Sequence, residues 1–150
     1  MVLNLRLYLY ADKICSVGKA WYVYLQRSGS ITNSKNTVRN AEIITAVAEV
    51  IGFYRERGEY ERLHDELEFL AFYCQFLTAS VRVNLAEWDS PVQDRLIGDF
   101  VRKFPHYRDN PYIRKMPVLH RLLMRLFDRR LYGVVHILMK LNNILRRKNL

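Results

Sequence analysis

From Leu3 onward the apolar positions follow helical spacing through most of the chain, with one break. Leu3, Leu7 and Tyr10, with Leu5 and Leu9 beside them, predict a helix over Leu3–Asp12. Ile14–Val17 and Ala20–Leu25 then read as short extended pieces around Gly18. Trp21, Val23 and Leu25 fall on one face and Tyr22 and Tyr24 on the other, the two-residue period of a strand. After the Ser28-Gly29-Ser30 turn, a helix is expected from about Thr37, with Asn36 as its cap and Ile43, Ile44, Val47, Ile51 and Tyr54 as its stripe. Gly58 should end it. Leu63, Leu67, Leu70, Cys74, Leu77 and Val81 give the cleanest helical period in the chain, and Glu59, Glu61, Asp65 and Glu66 favour the positive end of that helix. Ser90 as cap and Pro91 at the first helical position open the next helix, which Pro105 stops. A loop rich in Tyr, Pro and Arg leads to two final helices over roughly 118–128 and 130–147.

The chain of 150 residues is half apolar, enough for one domain with a real core, and its ten tyrosines and seven phenylalanines argue against disorder. Cys15 and Cys74 lie far apart with no paired spacing, so reduced, buried thiols and a cytoplasmic setting are expected. No signal peptide is read after Met1, and no run of about eighteen consecutive apolar residues suggests a spanning helix.

Charge changes the picture more. Residues 1–111 carry 14 Lys/Arg and 14 Asp/Glu, whereas residues 112–150 carry ten Lys/Arg and one acid, Asp128. The whole net charge of +9 therefore belongs to the C-terminal quarter, which points to an anionic partner. On a helix, Leu131, Val134, Val135, Leu138, Leu141 and Leu145 share one side. Gly133, His136, Lys140, Asn143 and Arg147 share the other, with Arg146 at the boundary. The preceding helix sets Leu119, Leu122, Leu123 and Leu126 against Arg121, Arg125, Arg129 and Arg130. Basic amphipathic helices of this type lie in the headgroup layer of a membrane, so these cations are the candidate membrane-surface residues. Two alternatives stay open. The apolar stripes can simply pack on the rest of the domain, or the cations can meet nucleic acid, which is disfavoured because no aromatics interleave them.

No self-contained active site is visible. His64, His106, His120 and His136 lie on separate segments without metal-binding spacing, and no serine or cysteine sits in a catalytic motif. No catalytic residue, metal ligand or cofactor is assigned to this chain.

The aromatic run does carry a resemblance. Leu5-Arg6-Leu7, Ala11-Asp12-Lys13-Ile14 and Trp21-Tyr22-Val23-Tyr24-Leu25-Gln26-Arg27-Ser28-Gly29-Ser30-Ile31-Thr32-Asn33-Ser34 resemble a segment of bacterial family 2 glycosyltransferases, the enzymes of capsule, exopolysaccharide and lipopolysaccharide assembly. Tyr22, Tyr24, Arg27, Gly29, Ser30 and Ile31 match in order, and the likeness covers about residues 3–34. The resemblance implies a GT-A fold, a divalent ion (Mg or Mn) on an Asp-x-Asp motif, a nucleotide-sugar donor and a lipid-linked or polysaccharide acceptor at the inner face of the membrane. It also implies a Glu-Asp pair just before the first helix. Neither motif is present in this sequence. The expectation is therefore a C-terminal portion of such an enzyme, inactive alone, whose partner is the missing N-terminal GT-A part. In that case Met1 is an internal methionine or a truncation point, and an upstream in-frame stop codon would contradict it.

By the same resemblance the loop after the aromatic strand lies near the active site. Arg27 and Ser30, with Tyr24 and Gln26 behind them, become candidate substrate- or phosphate-binding residues. Packing roles for Tyr22 and Tyr24, and a turn-capping role for Arg27, stay open beside this.

The expected fold is mainly α, about five helices with a short N-terminal β-strand or hairpin that would complete a GT-A α/β domain in the full-length enzyme. Residues 1–36 would be the end of the catalytic domain, 37–111 a helical extension and 112–150 the basic amphipathic helices. Leu3, Leu7, Trp21, Leu67, Leu70, Leu77, Ile97 and Phe100 are the expected core. The rival reading is an independent basic helical module that binds an anionic membrane or a partner protein.

Overall fold

The computed structural model describes residues 2–16, 18–19 and 37–148, with side chains as far as residue 143. The protein is mainly helical, with no strand among the described residues. Helix α1 is Val2–Tyr8, α2 Thr37–Asn40, α3 Glu42–Glu56, α4 His64–Ala86 and α5 Pro91–Lys103. A 3₁₀ turn at Tyr107–Asp109 leads into α6 (Pro111–Arg114), α7 (Val118–Asp128) and α8 (Tyr132–Lys148). The predicted aromatic strand, the Ser28-Gly29-Ser30 turn, Trp21 and the Asn36 cap lie outside the described residues. Residues 14–16, read as extended, form no strand.

The punctuation expected from sequence is physical. The Gly58 amide bonds the Arg55 carbonyl and the Glu59 amide bonds the Tyr54 carbonyl, both at 3.0 Å, and Gly58 has φ +70°. This is a Schellman closure, which satisfies two orphan carbonyls of α3. Ser90 precedes Pro91 in extended conformation, as a cap should, but its side chain makes no capping bond. Asn110 does cap α6: its Oδ1 accepts from the amides of Tyr112 at 2.9 Å and Ile113 at 3.3 Å.

Helix α4 is the centre of the molecule. Its middle, Phe72–Ala79, is wound as a π-helix, whose i→i+5 bonds make each turn wider than 3.6 residues. The buried positions accordingly recur every four residues, as Leu67, Ala71, Gln75, Ala79 and Val83, and again as Glu68, Phe72, Phe76, Ser80 and Asn84. Around it, α3 contributes Val47 and Ile51, α5 Ile97 and Phe100, α6 Ile113, α7 Leu123 and Phe127, and α8 Val135, all in one cluster. The heart of this core is aromatic. Phe72 stacks on Phe76 at 5.1 Å between centroids, while Phe100 meets Phe76 at 5.3 Å and Tyr107 at 5.1 Å, edge to face. Such pairs add roughly 0.5–1.5 kcal/mol each beyond the area they bury.

The polar members of this face hold the helices together. Gln75 Nε2 donates to the Leu96 carbonyl at 2.9 Å and to Asp99 Oδ2 at 3.0 Å. Asn84 Nδ2 donates to the Tyr132 carbonyl at 2.9 Å, and the Asn84 carbonyl lies 2.8 Å from His136 Nδ1.

Three expectations need correction. Leu3 and Leu7 are exposed, because α1 turns Val2, Leu5 and Leu9 onto Val50, Tyr54 and Leu67 instead, and the Tyr54 hydroxyl donates to the Leu5 carbonyl at 2.7 Å. Leu70 is only partly buried, on the rim of that same cluster. Cys15 is exposed rather than buried; Cys74 is half-buried, and burial pushes its thiol pKa up against a smaller opposing pull from Arg82. Helix α4 is also long and apolar enough to cross a bilayer by length and composition, although no unbroken apolar run announces it; half of that window is buried inside the helical body.

Candidate functional site

The site is built where α7 and α8 pack against each other. Arg130 sits in the turn between them with φ 55°, and its guanidinium pairs with Asp94 on α5. The Tyr132 hydroxyl donates to the same carboxylate at 2.6 Å, and burial followed by Asp94 drives the Tyr132 pKa well above its ordinary value. At the same C-terminal end of α7, Tyr107 donates its hydroxyl to Asp128, and Arg108 pairs with Asp128 at 2.7 Å. Burial and then Asp128 drive the Tyr107 pKa well up. The single acid of the basic quarter therefore ties α7 to the 3₁₀ turn.

Along α7, Leu123 and Phe127 point into the core, and Leu119, His120 and Leu123 share a crevice with Met139 and Asn142 of α8. That contact fixes the outward direction of the remaining positions. Val118 and Leu122 are exposed. Arg121, Arg125 and Arg129, spaced four residues apart, form an exposed row lining the side of α7 that faces α6. None of the three side chains makes a hydrogen bond or ion pair among the described residues.

Helix α8 divides the stripe read from sequence. Val135 is fully buried and Leu138 and Met139 pack against the core, which satisfies one apolar face. A second apolar face has no partner among the described residues: Val134, Ile137 and Leu141 remain 49, 62 and 54% exposed, and Leu131 beside them is 42% exposed. These four form the open apolar surface of α8 and the turn before it. Trp88, itself half exposed, lies over Gly133 at its edge, 3.9 Å from where a Cβ would stand.

The candidate cations therefore separate into three kinds. Arg121, Arg125, Arg129 and Lys140 are exposed, Arg130 is held by Asp94, and Arg146 and Arg147 fall in the last turns of α8, beyond the described side chains. Arg27, Ser30, Tyr24 and Gln26 lie outside the described residues. Sequence reading missed Ile137, the most exposed apolar side chain of α8 among the described residues, and the contribution of Trp88. The signal for Ile137 was its three- and four-residue spacing from Val134 and Leu141.

One grouping elsewhere has the chemistry of metal ligands. Atoms of His64, Asp65 and Glu68 lie within 4.8 Å of one another. The buried Glu68 carboxylate already accepts from Asn110 Nδ2 at 2.8 Å, and the three residues on one helix turn are not themselves evidence of an ion. The divalent ion implied by the resemblance has no Asp-x-Asp in this sequence to hold it.

The chain matches no protein-family model, no curated protein and no solved structure.

Proposed function

We propose that this protein docks on an anionic membrane surface through the outer faces of α7 and α8. The observation that carries the reading is the exposed apolar face Val134, Ile137 and Leu141, without a partner among the described residues, on a helix pair that also presents Arg121, Arg125, Arg129 and Lys140 to solvent. Apolar side chains gain roughly 25 cal/mol per Å² removed from water, and each cation near an anionic surface adds about 1 kcal/mol. Trp88 at the rim has the amphipathic ring favoured at the bilayer interface. Nucleic acid fits less well, because the exposed apolar face has no use on a phosphate backbone.

Co-sedimentation with vesicles of phosphatidylcholine and phosphatidylglycerol tests this. The Ile137→Asn/Leu141→Asn variant is expected to lose at least about tenfold in partitioning, since each side chain contributes on the order of 1.5–3 kcal/mol when fully buried. Unchanged sedimentation of that variant would remove the apolar face from the mechanism.

The opening stretch favours a more specific second reading. On it, the protein serves transfer of a sugar from a nucleotide-sugar to a lipid-linked or polysaccharide acceptor, peripheral to the cytoplasmic face of the membrane, in company with a GT-A portion. The support is the ordered match of Tyr22, Tyr24, Arg27, Gly29, Ser30 and Ile31. This chain alone would then hold no donor. Calorimetry with UDP and Mn²⁺ is expected to give no tight binding, and tight Mn²⁺-dependent binding would overturn the reading.

A further inference from the structure

A cleft of about 620 Å³ opens between α6 and α7, and no described residue of α8 lines it. Its walls carry five guanidinium groups, Arg108, Arg114, Arg121, Arg125 and Arg129, against one carboxylate, Asp128. The buried side chains of Ile113 and Met124 line it as well. The volume falls within the roughly 300–1,000 Å³ usual for small-molecule sites.

Two of the five arginines are already committed by the fold. Arg108 is held by Asp128 at 2.7 Å, and Arg114 pairs with Asp109 at 2.6 Å while donating Nε–H to the Arg108 carbonyl at 3.3 Å. These contacts fix one wall. The opposite wall is the row Arg121, Arg125 and Arg129; none of the three forms an ion pair among the described residues, and the neighbouring Asp128 is engaged by Arg108 and Tyr107. Like charges four residues apart on a helix repel. Arg125 and Arg129 near the C-terminal end of α7 suit the helix dipole, but Arg121 lies in its first turn, where a cation is unfavourable. Asp128 alone faces three further guanidinium groups of this row, and an anion in the cleft would offset the remaining charge.

We propose that this cleft binds a phosphomonoester or diphosphate group. Guanidinium forks match the paired oxygens of a phosphate, and arginines line this cleft from both α7 and the Arg108–Arg114 segment. The apolar lining from Ile113 and Met124 suits a ligand with a carbon skeleton beside the phosphate. The phosphate can belong to a lipid headgroup or to a soluble molecule. Only the lipid source rests on the membrane reading above; the cleft itself stands on its own geometry.

The full chain is titrated calorimetrically with inorganic pyrophosphate, and its partitioning is compared on vesicles holding phosphatidic acid or phosphatidylglycerol at matched surface charge. Pyrophosphate is expected to bind one to one, and Arg121→Gln/Arg125→Gln to weaken it by about tenfold or more, as loss of charge-assisted hydrogen bonds does. Gln has nearly the helix propensity of Arg, so the variant should keep the wild-type circular dichroism spectrum. The Ile137→Asn/Leu141→Asn variant should bind pyrophosphate like the wild type, which separates the cleft from the apolar face. A preference for phosphatidic acid that the arginine double variant loses assigns the phosphate to lipid. Pyrophosphate binding with no preference between the vesicles assigns it to a soluble molecule. No pyrophosphate binding, or equal binding by the arginine double variant, overturns the proposal and leaves the membrane reading standing if vesicle partitioning persists. Tighter binding of a generic DNA duplex than of pyrophosphate, lost in the same variant, overturns it in favour of a nucleic-acid site.

Discussion

The Asn110 carboxamide joins two elements with four hydrogen bonds. It caps α6 through Oδ1, and its Nδ2 donates to the Asp65 carbonyl and to Glu68 Oε2 of α4, both at 2.8 Å. Glu68 is only 4% exposed, so this donor stabilises a charge that water scarcely reaches. Asn110→Ala is expected to cost at least about 2 kcal/mol in a urea melt, combining a lost cap with a buried carboxylate left short of a donor. Asn110→Asp keeps a good cap but sets a second carboxylate against Glu68, and should cost more than the alanine; the reverse order would show that the cap dominates. The pairing of Asn110 with Pro111 is a local start signal of the same kind as Ser90 with Pro91, but the stretch between Pro105 and Pro117 reads in sequence as a loop, and the short helix in it was not foreseen. The burial of Glu68, Gln75 and Asn84 was not legible, because each is polar and its partners lie many residues away in sequence.

Among the helices, α3 gives a paired test of what glycine does at two kinds of position. Gly58 lies at φ +70° in the closing turn, while Gly52 lies inside the helix with nothing within 4 Å of a built Cβ. Gly58→Ala should destabilise by about 1 kcal/mol and Gly52→Ala should stabilise by roughly 0.5–1 kcal/mol, both read from denaturant midpoints. Equal effects would mean that the Schellman closure does not set the end of α3. The spans of α7 and α8 followed from their period, but the roles of their faces did not. Hydropathy places Val134, Val135, Leu138 and Leu141 on one side; only the packed neighbours show that Val135 and Leu138 serve the core while Val134 and Leu141 stay outside it. Likewise Leu3/Leu7 and Leu5/Leu9 are equivalent in spacing, and the Tyr54 hydroxyl on Leu5 belongs to the arrangement that faces Leu5 and Leu9 inward. The wide winding of α4 escaped a reading built on a 3.6-residue turn.

For the whole molecule, stability in acid should depend on Asp99, where α4 and α5 are tied. Burial alone would raise its pKa, but hydrogen bonds from Lys103 and Gln75, the Lys103 charge and a bond from Arg102 outweigh it and hold the carboxyl below its usual value. A carboxylate so depressed contributes its full stability above the unfolded value of about 3.9, and that contribution is lost as pH falls through the lower folded value. The urea midpoint should therefore drop below about pH 4, and Asp99→Asn should flatten this part of the profile while lowering stability near neutrality. An unchanged acid slope in the variant would assign the loss to other carboxyls. Helix α8 carries a different consequence at this scale. Because Val135, Leu138 and Met139 anchor it to the core, its outward face is preformed before any surface is met. Peptides that become helical only on contact with lipid spend part of their binding energy on ordering the backbone, at about 1–2 kcal/mol per residue. On the docking reading, α8 has already met that cost in folding, so arrival and departure become rigid-body events whose speed is set by diffusion and charge rather than by helix nucleation.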